Sequence, residues 1–208
     1  VQGDAGVRIP DDNYLKKLRA RCTEVGAQLI FDEVQTGMGR TGALFAFQRF
    51  EVVPDILTTA KAFGGGMPVG AFISSISNMK LLTHDPVLGH ITTFGGHPVC
   101  CVAALANLQV LTSENWINEA EEKGQLIKKL IRHSEIVEVR QIGLMLAVEL
   151  ESESMVNLVI ESLLRRGLIG FYFLSCRNAI RLAPPLCISK DEIHWFCGQI
   201  IDAINEVS

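Results

Sequence analysis

The sequence has 208 residues, 48% of them apolar and 20% charged, a globular composition able to bury roughly 70% of its unfolded surface in one large or two small domains. A net charge of −4 without a basic block speaks against nucleic acid as the main partner, and these residues show neither a run of the ~18 apolar residues of a membrane helix nor a signal-peptide pattern. Six cysteines, at 22, 100, 101, 176, 187 and 197, form no C-x-x-C pair, which argues against a zinc knot or disulfide framework and for reduced thiols in cytoplasm.

The chain opens on Val1-Gln2-Gly3-Asp4-Ala5-Gly6-Val7. This Gly-punctuated passage, without Met, reads as strand-to-loop sequence from inside a longer polypeptide, so a fragment is expected. Asp11 or Asp12 then caps a helix with Tyr14, Leu15, Leu18, Cys22 and Val25 on one face, ended by Gly26. Gln28 to Phe31 reads as a short buried strand, with Asp32, Glu33 and Gln35 directly after it and a glycine-rich loop from Gly37 to Gly42. A second short strand covers Ile56 to Thr59 and leads to Lys61 and the triple glycine Gly64-Gly65-Gly66; a third covers Val69 to Ser74.

Pro98 opens an alanine-rich helix that runs to about Leu111. After Ser113 the texture changes. Residues 114–134 form a charged amphipathic helix with Trp116, Ala120, Ile127 and Leu130 inward. Strands within 136–150, a helix at 154–166, strands near 168–174 and 179–183, and a helix at 190–206 follow, the last capped by Ser189 with Glu192 three residues on. This helix–strand–helix–strand–helix series predicts a separate domain beginning near residue 112. No internal repeat or low-complexity segment is visible.

Open α/β sheets bind ligands beyond the carboxyl ends of their strands, and Asp32 and Lys61 both occupy such places. From position alone, a buried salt bridge or two solvated loop residues fit as well as a reactive site. Lys61 lies within Thr58-Thr59-Ala60-Lys61-Ala62-Phe63, just before three glycines. An apolar setting disfavours the charged amine, and the neutral amine is the nucleophile that forms a Schiff base. The glycines let backbone approach a ligand closely. Arg181, between Ile180 and Leu182, fits a solvated edge arginine or a carboxylate clamp, with Phe171-Tyr172-Phe173 as an apolar wall beside it. By themselves Thr93 is a plain threonine before a glycine turn and Asp4 a loop carboxylate, and Arg40, in Gly39-Arg40-Thr41-Gly42, reads as a loop-packing residue, with an approach to substrate as the alternative. His84, His90, His97, His133 and His194 lack metal-ligand spacing and read as structural, so no metal site is expected. Cys100-Cys101 read as core thiols.

The run Leu29-Ile30-Phe31-Asp32-Glu33-Val34-Gln35-Thr36-Gly37-Met38-Gly39-Arg40-Thr41-Gly42 resembles the signature of class III pyridoxal-phosphate aminotransferases, of the ornithine, acetylornithine and 4-aminobutyrate type. The resemblance continues through Pro54-Asp55-Ile56, Lys61 with Gly64-Gly65-Gly66-Met67-Pro68, Thr93-Phe94-Gly95-Gly96-His97-Pro98 and Ile180-Arg181-Leu182-Ala183-Pro184-Pro185. His97 stands where many relatives have Asn. Matches in the right order across nearly the whole chain are specific; a lone triple glycine would not be.

The resemblance implies an α/β fold: the later part of the large domain of a fold type I PLP-dependent transferase, a mainly parallel sheet with helices, and a small α/β carboxyl-terminal domain. Residues 1–111 would belong to the large domain and 112–208 to the small one. It implies pyridoxal 5′-phosphate as cofactor, bound as a Schiff base on Lys61, with Lys61 also shuttling the substrate proton. Asp32 would pair with the pyridine nitrogen, Gln35 would lie near the phenolic oxygen, and Thr93 would bind the cofactor phosphate of the neighbouring subunit in a homodimer with a shared active site. Arg181 would bind a substrate carboxylate. Asp4 stands where related enzymes carry a glutamate that pairs with that arginine; being one methylene shorter, it puts a direct Asp4–Arg181 pair in doubt. The implied reaction moves an amino group from an amino acid or ω-amine to a 2-oxo acid. A decarboxylase or aminomutase of the same fold, and a catalytically inactive fragment, are the alternatives. In the family about half of the polypeptide precedes the point where this chain starts, including the phosphate-binding turn.

Overall fold

The computed structural model describes residues 1–208, which divide into two compact units. One comprises Pro10–Met38 and Ala43–Asn115; the other comprises Val1–Ile9, Gly39–Gly42 and Trp116–Ser208.

The first unit carries α1 (Tyr14–Val25), β1 (Ile30–Asp32), α2 (Ala46–Phe50), β2 (Ile56–Thr59), β3 (Ala71–Ser74), α3 (Ile76–Lys80) and α4 (Pro98–Ser113). Gly26 stops α1 in the left-handed conformation at φ 70, donating its N–H to the carbonyls of Cys22 and Thr23. At the other end of α1, Asn13 is the cap residue and makes no side-chain cap bond; Asp11 instead accepts the Asn13 N–H at 2.9 Å. Leu15, Leu18 and Cys22 are half-buried, but Tyr14 and Val25, expected on the same face, are exposed. The Asp55 carboxylate takes the Leu29 N–H at 2.7 Å and the Arg19 guanidinium at 2.6 Å, which ties α1 to the start of β1. These two bonds, the backbone one first, hold its pKa below the usual carboxylate value.

β1 and β2 run parallel, with Ile30 opposite Ile56 and Asp32 opposite Thr58; β3 returns antiparallel, with Ala71 opposite Thr59. The sheet is therefore mixed, and only one of its pairings is parallel. Asp32 closes β1 instead of following it. Lys61 begins a 3-10 turn, Lys61–Gly64, that packs on α4. The Asn107 side chain of α4 donates to the Ala62 carbonyl at 2.8 Å. Gly65, at φ 57, lies so close to α4 that a Cβ there would stand 2.9 Å from the Ala103 carbonyl oxygen. Pro98 occupies the first turn of α4, where its missing N–H is harmless. Cys100 is buried in α4, but Cys101 is exposed, contrary to the core role expected for both; adjacent helical residues point about 100° apart, so one helix face cannot bury them together.

The second unit is an antiparallel sheet in the order β4-β5-β7-β6 with three helices: α5 (Trp116–Leu130), β4 (Ile136–Ile142), β5 (Met145–Leu150), α6 (Glu153–Arg165), β6 (Phe171–Phe173), β7 (Cys176–Leu182) and α7 (Lys190–Val207). The strand region at 136–150 is thus a hairpin. β5 and β7 are the inner strands of the sheet, and in β5 the apolar run Met145 to Val148 is buried without alternation, broken by Glu149 before buried Leu150. α7 supplies Ile193, Ile200, Ala203 and Ile204 to the same core and starts with a complete capping box between Ser189 and Glu192. α6 is capped by Ser152, whose hydroxyl accepts the Met155 N–H. Residues 1–9 join this unit through Arg140, whose Nε donates to the Gly6 carbonyl at 2.5 Å and whose Nη1 reaches Glu138 and Glu149, each at 2.5 Å.

Candidate active site

In the first unit the reactive pair comes from the strand ends. Asp32 is exposed, and its Oδ1 accepts the Val34 N–H at 3.0 Å, a local turn that fixes the carboxylate. The ladder continues one residue further, from the Glu33 N–H to the Thr58 carbonyl at 2.9 Å. Lys61 stands two residues beyond β2, in the left-handed region at φ 49, and is exposed. It makes no ion pair with Asp32, so the salt-bridge reading of this pair falls. The apolar burial expected around the Lys61 amine is also not supplied by these residues. Ala62 beside it is exposed, and the turn buries Gly64 instead.

The loop after β1 is organised by Glu33, to which the sequence assigned no role. Glu33 is buried, and its carboxylate accepts the Thr36 hydroxyl at 2.5 Å and the N–H groups of Ala46 and Phe47 at 2.8 and 2.7 Å. These bonds satisfy the open start of α2 and hold the turn that carries Gln35, which is half-buried. Gly37 lies against the Glu33 carbonyl, 2.8 Å from where a Cβ would be. Thr93 lies in an exposed turn directly before α4.

In the second unit Arg140, Ala147, Arg181 and Phe171 stand opposite one another in register across all four strands and so share one sheet face. Arg181 is exposed and has neither an ion-pair nor a hydrogen-bond partner. Asp4 does not pair with it. The Asp4 carboxylate is taken by the turn between β6 and β7, accepting the Leu174 N–H at 3.2 Å and the Ser175 hydroxyl at 2.8 Å. A short aspartate is satisfied by this adjacent turn. Beside Arg181 opens a cavity of about 430 Å³ whose walls include Leu168, Ile169, Pro184, Trp195 and Phe196. These residues line the cavity, while Phe171 stands directly across the strand pair from Arg181, outside the cavity lining.

Arg40 does pack the loop, as its sequence setting implies, and it also reaches the segment that follows Arg181. Its Nη1 donates to the carbonyls of Leu144, at 3.3 Å, and Pro184. The Arg40 carbonyl in turn accepts the Leu144 N–H at 2.9 Å. Burial, and then the charge of Arg181, lower the Arg40 pKa from its ordinary value. Neither arginine is ion-paired; Glu192, which lines the same cavity as Arg181, has its carboxylate taken by the Ser189 N–H and hydroxyl.

The chain matches the family model of the class-III aminotransferases over residues 1–204. It is 38% identical to a putrescine aminotransferase of Pectobacterium atrosepticum, covering 100% of this chain and 45% of that protein. It is 40% identical to an acetylornithine aminotransferase of Methanocaldococcus jannaschii, covering 100% of this chain and 50% of the relative. Among solved structures, an ornithine aminotransferase of Toxoplasma gondii with PLP at partial occupancy in its active site superposes with a TM-score of 0.91 at 33% identity, over 100% of this chain and 50% of that one. The chain spans about half the length of the curated relatives it matches. With motifs, fold and relatives in agreement over almost every residue, the chain belongs to the class-III aminotransferase family.

Proposed function

We propose that this chain is the catalytic-lysine half of a PLP-dependent aminotransferase that moves an amino group from an amino acid or ω-amine to a 2-oxo acid. The observation that carries this reading is the placement of Asp32 and Lys61 at the carboxyl ends of two adjacent parallel strands, where an α/β sheet offers its ligand site. The donor set fits the cofactor. An amine is available for its aldehyde, a carboxylate for its pyridine nitrogen, and the Gln35 amide and Thr93 hydroxyl for its oxygens. When bound, the cofactor supplies an electron sink for the substrate carbanion.

Lys61 would hold the cofactor covalently and would carry the proton to and from the substrate Cα. Asp32, fixed by the Val34 N–H, would pair with the pyridine nitrogen. Arg181, with its guanidinium unpaired, takes a substrate carboxylate through its planar fork. Asp4 supports that site indirectly, by ordering the β6–β7 turn. Thr93, exposed before α4, serves the cofactor phosphate of a second subunit in a cytoplasmic homodimer. The unit containing β1–β3 is part of the large cofactor-binding domain, and the unit containing β4–β7 forms the small domain. No helix is long and apolar enough to cross a membrane.

Incubation with pyridoxal 5′-phosphate, borohydride reduction and peptide mass mapping tests the assignment. A stable pyridoxyl mark on Lys61, lost in Lys61→Ala, is the expected result. A mark spread evenly over the exposed lysines, or undiminished in Lys61→Ala, overturns it.

A further inference from the structure

We propose that Arg40 is a positioning residue for Arg181: anchored on the Pro184 and Leu144 carbonyls, it fixes the Arg181–Pro185 segment and restricts that site to ligands that bring a carboxylate. The proposal rests on the reading of Arg181 as the carboxylate binder and deepens it.

Three observations converge on Arg40. Its Nη1 spans from Leu144, in the turn just before β5, to Pro184, in the segment after β7, with sequence separations of 104 and 144 residues. It thus links the two chain segments that flank the end of the β5–β7 pairing, where Leu146 stands opposite Leu182. Its own backbone is held to the same place, because the Arg40 carbonyl accepts the Leu144 N–H, and a Cβ on Gly143 would stand 2.5 Å from that carbonyl oxygen. The side chain therefore projects from a loop with little freedom to move.

The charge balance is the third observation. Most arginines of this unit sit on carboxylates: Arg8 and Arg140 on Glu138 and Glu149, Arg165 and Arg166 on Glu206, Arg177 on Glu153. Arg40 has only carbonyl partners, and Arg181 has none. Two neighbouring guanidinium groups, neither paired with an acid, form a site that an anion stabilises more than a cation or neutral amine, and the Glu192 carboxylate that also lines the cavity is engaged by Ser189. Arg40 would not itself need to touch the ligand. It keeps Arg181 from folding away and raises the local positive potential.

The test compares Arg40→Gln, Arg40→Lys and Arg181→Gln. Glutarate binding to the protein without cofactor is measured by calorimetry. In the PLP-loaded protein, KM and kcat are measured for a donor with a carboxylate and for a primary amine without one. Arg40→Gln should weaken glutarate binding and raise the carboxylated donor's KM about tenfold, the scale of losing a charge-assisted hydrogen bond, with kcat and the plain amine's KM nearly unchanged. Arg40→Lys, which keeps the charge, should recover affinity relative to Arg40→Gln. Glutarate affinity in Arg40→Gln equal to wild type, or Arg40→Lys no better than Arg40→Gln, overturns the proposal while the Arg181 reading stands. Wild-type affinity in Arg181→Gln, or no glutarate binding at all, overturns both. Should Arg40→Gln not fold, Arg40→Lys decides alone: weaker glutarate binding than wild type supports the proposal, and equal binding overturns it.

Discussion

Gly124, in the middle of α5, lies against Gly143 so closely that a Cβ on Gly124 would stand 1.9 Å from the Gly143 carbonyl oxygen and 2.4 Å from Gln141 Nε2. Helix propensity alone favours Gly124→Ala by about 1 kcal/mol. The contact reverses the sign, because helix and hairpin turn must separate and the bond from Gln141 Nε2 to the Gly143 carbonyl, at 2.9 Å, is disturbed. Gly124→Ala is expected to lose about 2 kcal/mol of stability, within the range for an overpacked site. Urea unfolding measures it, and a variant as stable as the parent would refute the close approach.

Arg140 joins three parts of the second unit through one side chain: the Gly6 carbonyl, Glu138 on its own strand and Glu149 on β5, with Arg8 close to both carboxylates. Burial works against its charge, yet Glu149 and Glu138 outweigh that and raise its pKa. Glu149 is held below its ordinary value in spite of burial. Arg140→Met leaves Glu149 inside without its main partner and should cost roughly 3 kcal/mol, as when one member of a buried pair is removed. Residues 1–9 should then become the first site of limited proteolysis. If cleavage there is no faster than in wild type, Arg140 is not what fastens them.

Asp32 has one bond, from the Val34 N–H, and is exposed. Asp32→Asn preserves that acceptor and should leave unfolding unchanged. It removes the negative charge proposed to pair with the pyridine nitrogen, so turnover should fall by at least about 10²-fold. Near-normal turnover in this variant would remove Asp32 from the chemistry.

The strand ends were legible in the sequence because their signals are local. Ile56–Thr59 is bounded by turn chemistry, and Gly26 and Ser189 mark helix ends by capping rules that need no tertiary knowledge. What could not be read are the long-range partners. Asp4 bonds Leu174 and Ser175, and Arg140 bonds Gly6, across more than a hundred residues, and neither periodicity nor spacing encodes such choices. Glu33 carried the only missed local signal: an acid directly after a strand-end Asp, followed three residues on by a threonine able to donate to it. The exposure of Lys61 escaped for another reason. Its neighbours in sequence are apolar, but they do not wall it in, and Ala62 turns outward with it.

The six thiols differ in access. Cys101 and Cys187 are exposed, whereas Cys197 is buried in α7 and burial alone pushes its pKa up to about 12. The thiolate is the reactive form, so iodoacetamide should label Cys101 and Cys187 in the folded protein and reach Cys197 only after denaturation. Early labelling of Cys197, read by peptide mass mapping, would contradict the packing of α7 on the sheet.

Glu206 near the end of α7 accepts the Ser162 hydroxyl at 2.7 Å, Arg166 at 2.9 Å and Arg165 at 2.6 Å, and these bonds, in that order, lower its pKa to about 2. A carboxyl group whose folded pKa lies below its unfolded one stabilises the fold above the unfolded value and loses that contribution as the pH falls through the folded one. The stability difference between wild type and Glu206→Gln should therefore be constant above about pH 5, shrink from near pH 4.5 downward and vanish near pH 2. The group is at the surface and salt screens it, so the difference should also narrow in high salt. Chemical unfolding of both proteins across this pH range measures the effect, and a gap that stays constant down to pH 2 would mean that the α6–α7 bonds do not hold Glu206 in its charged form.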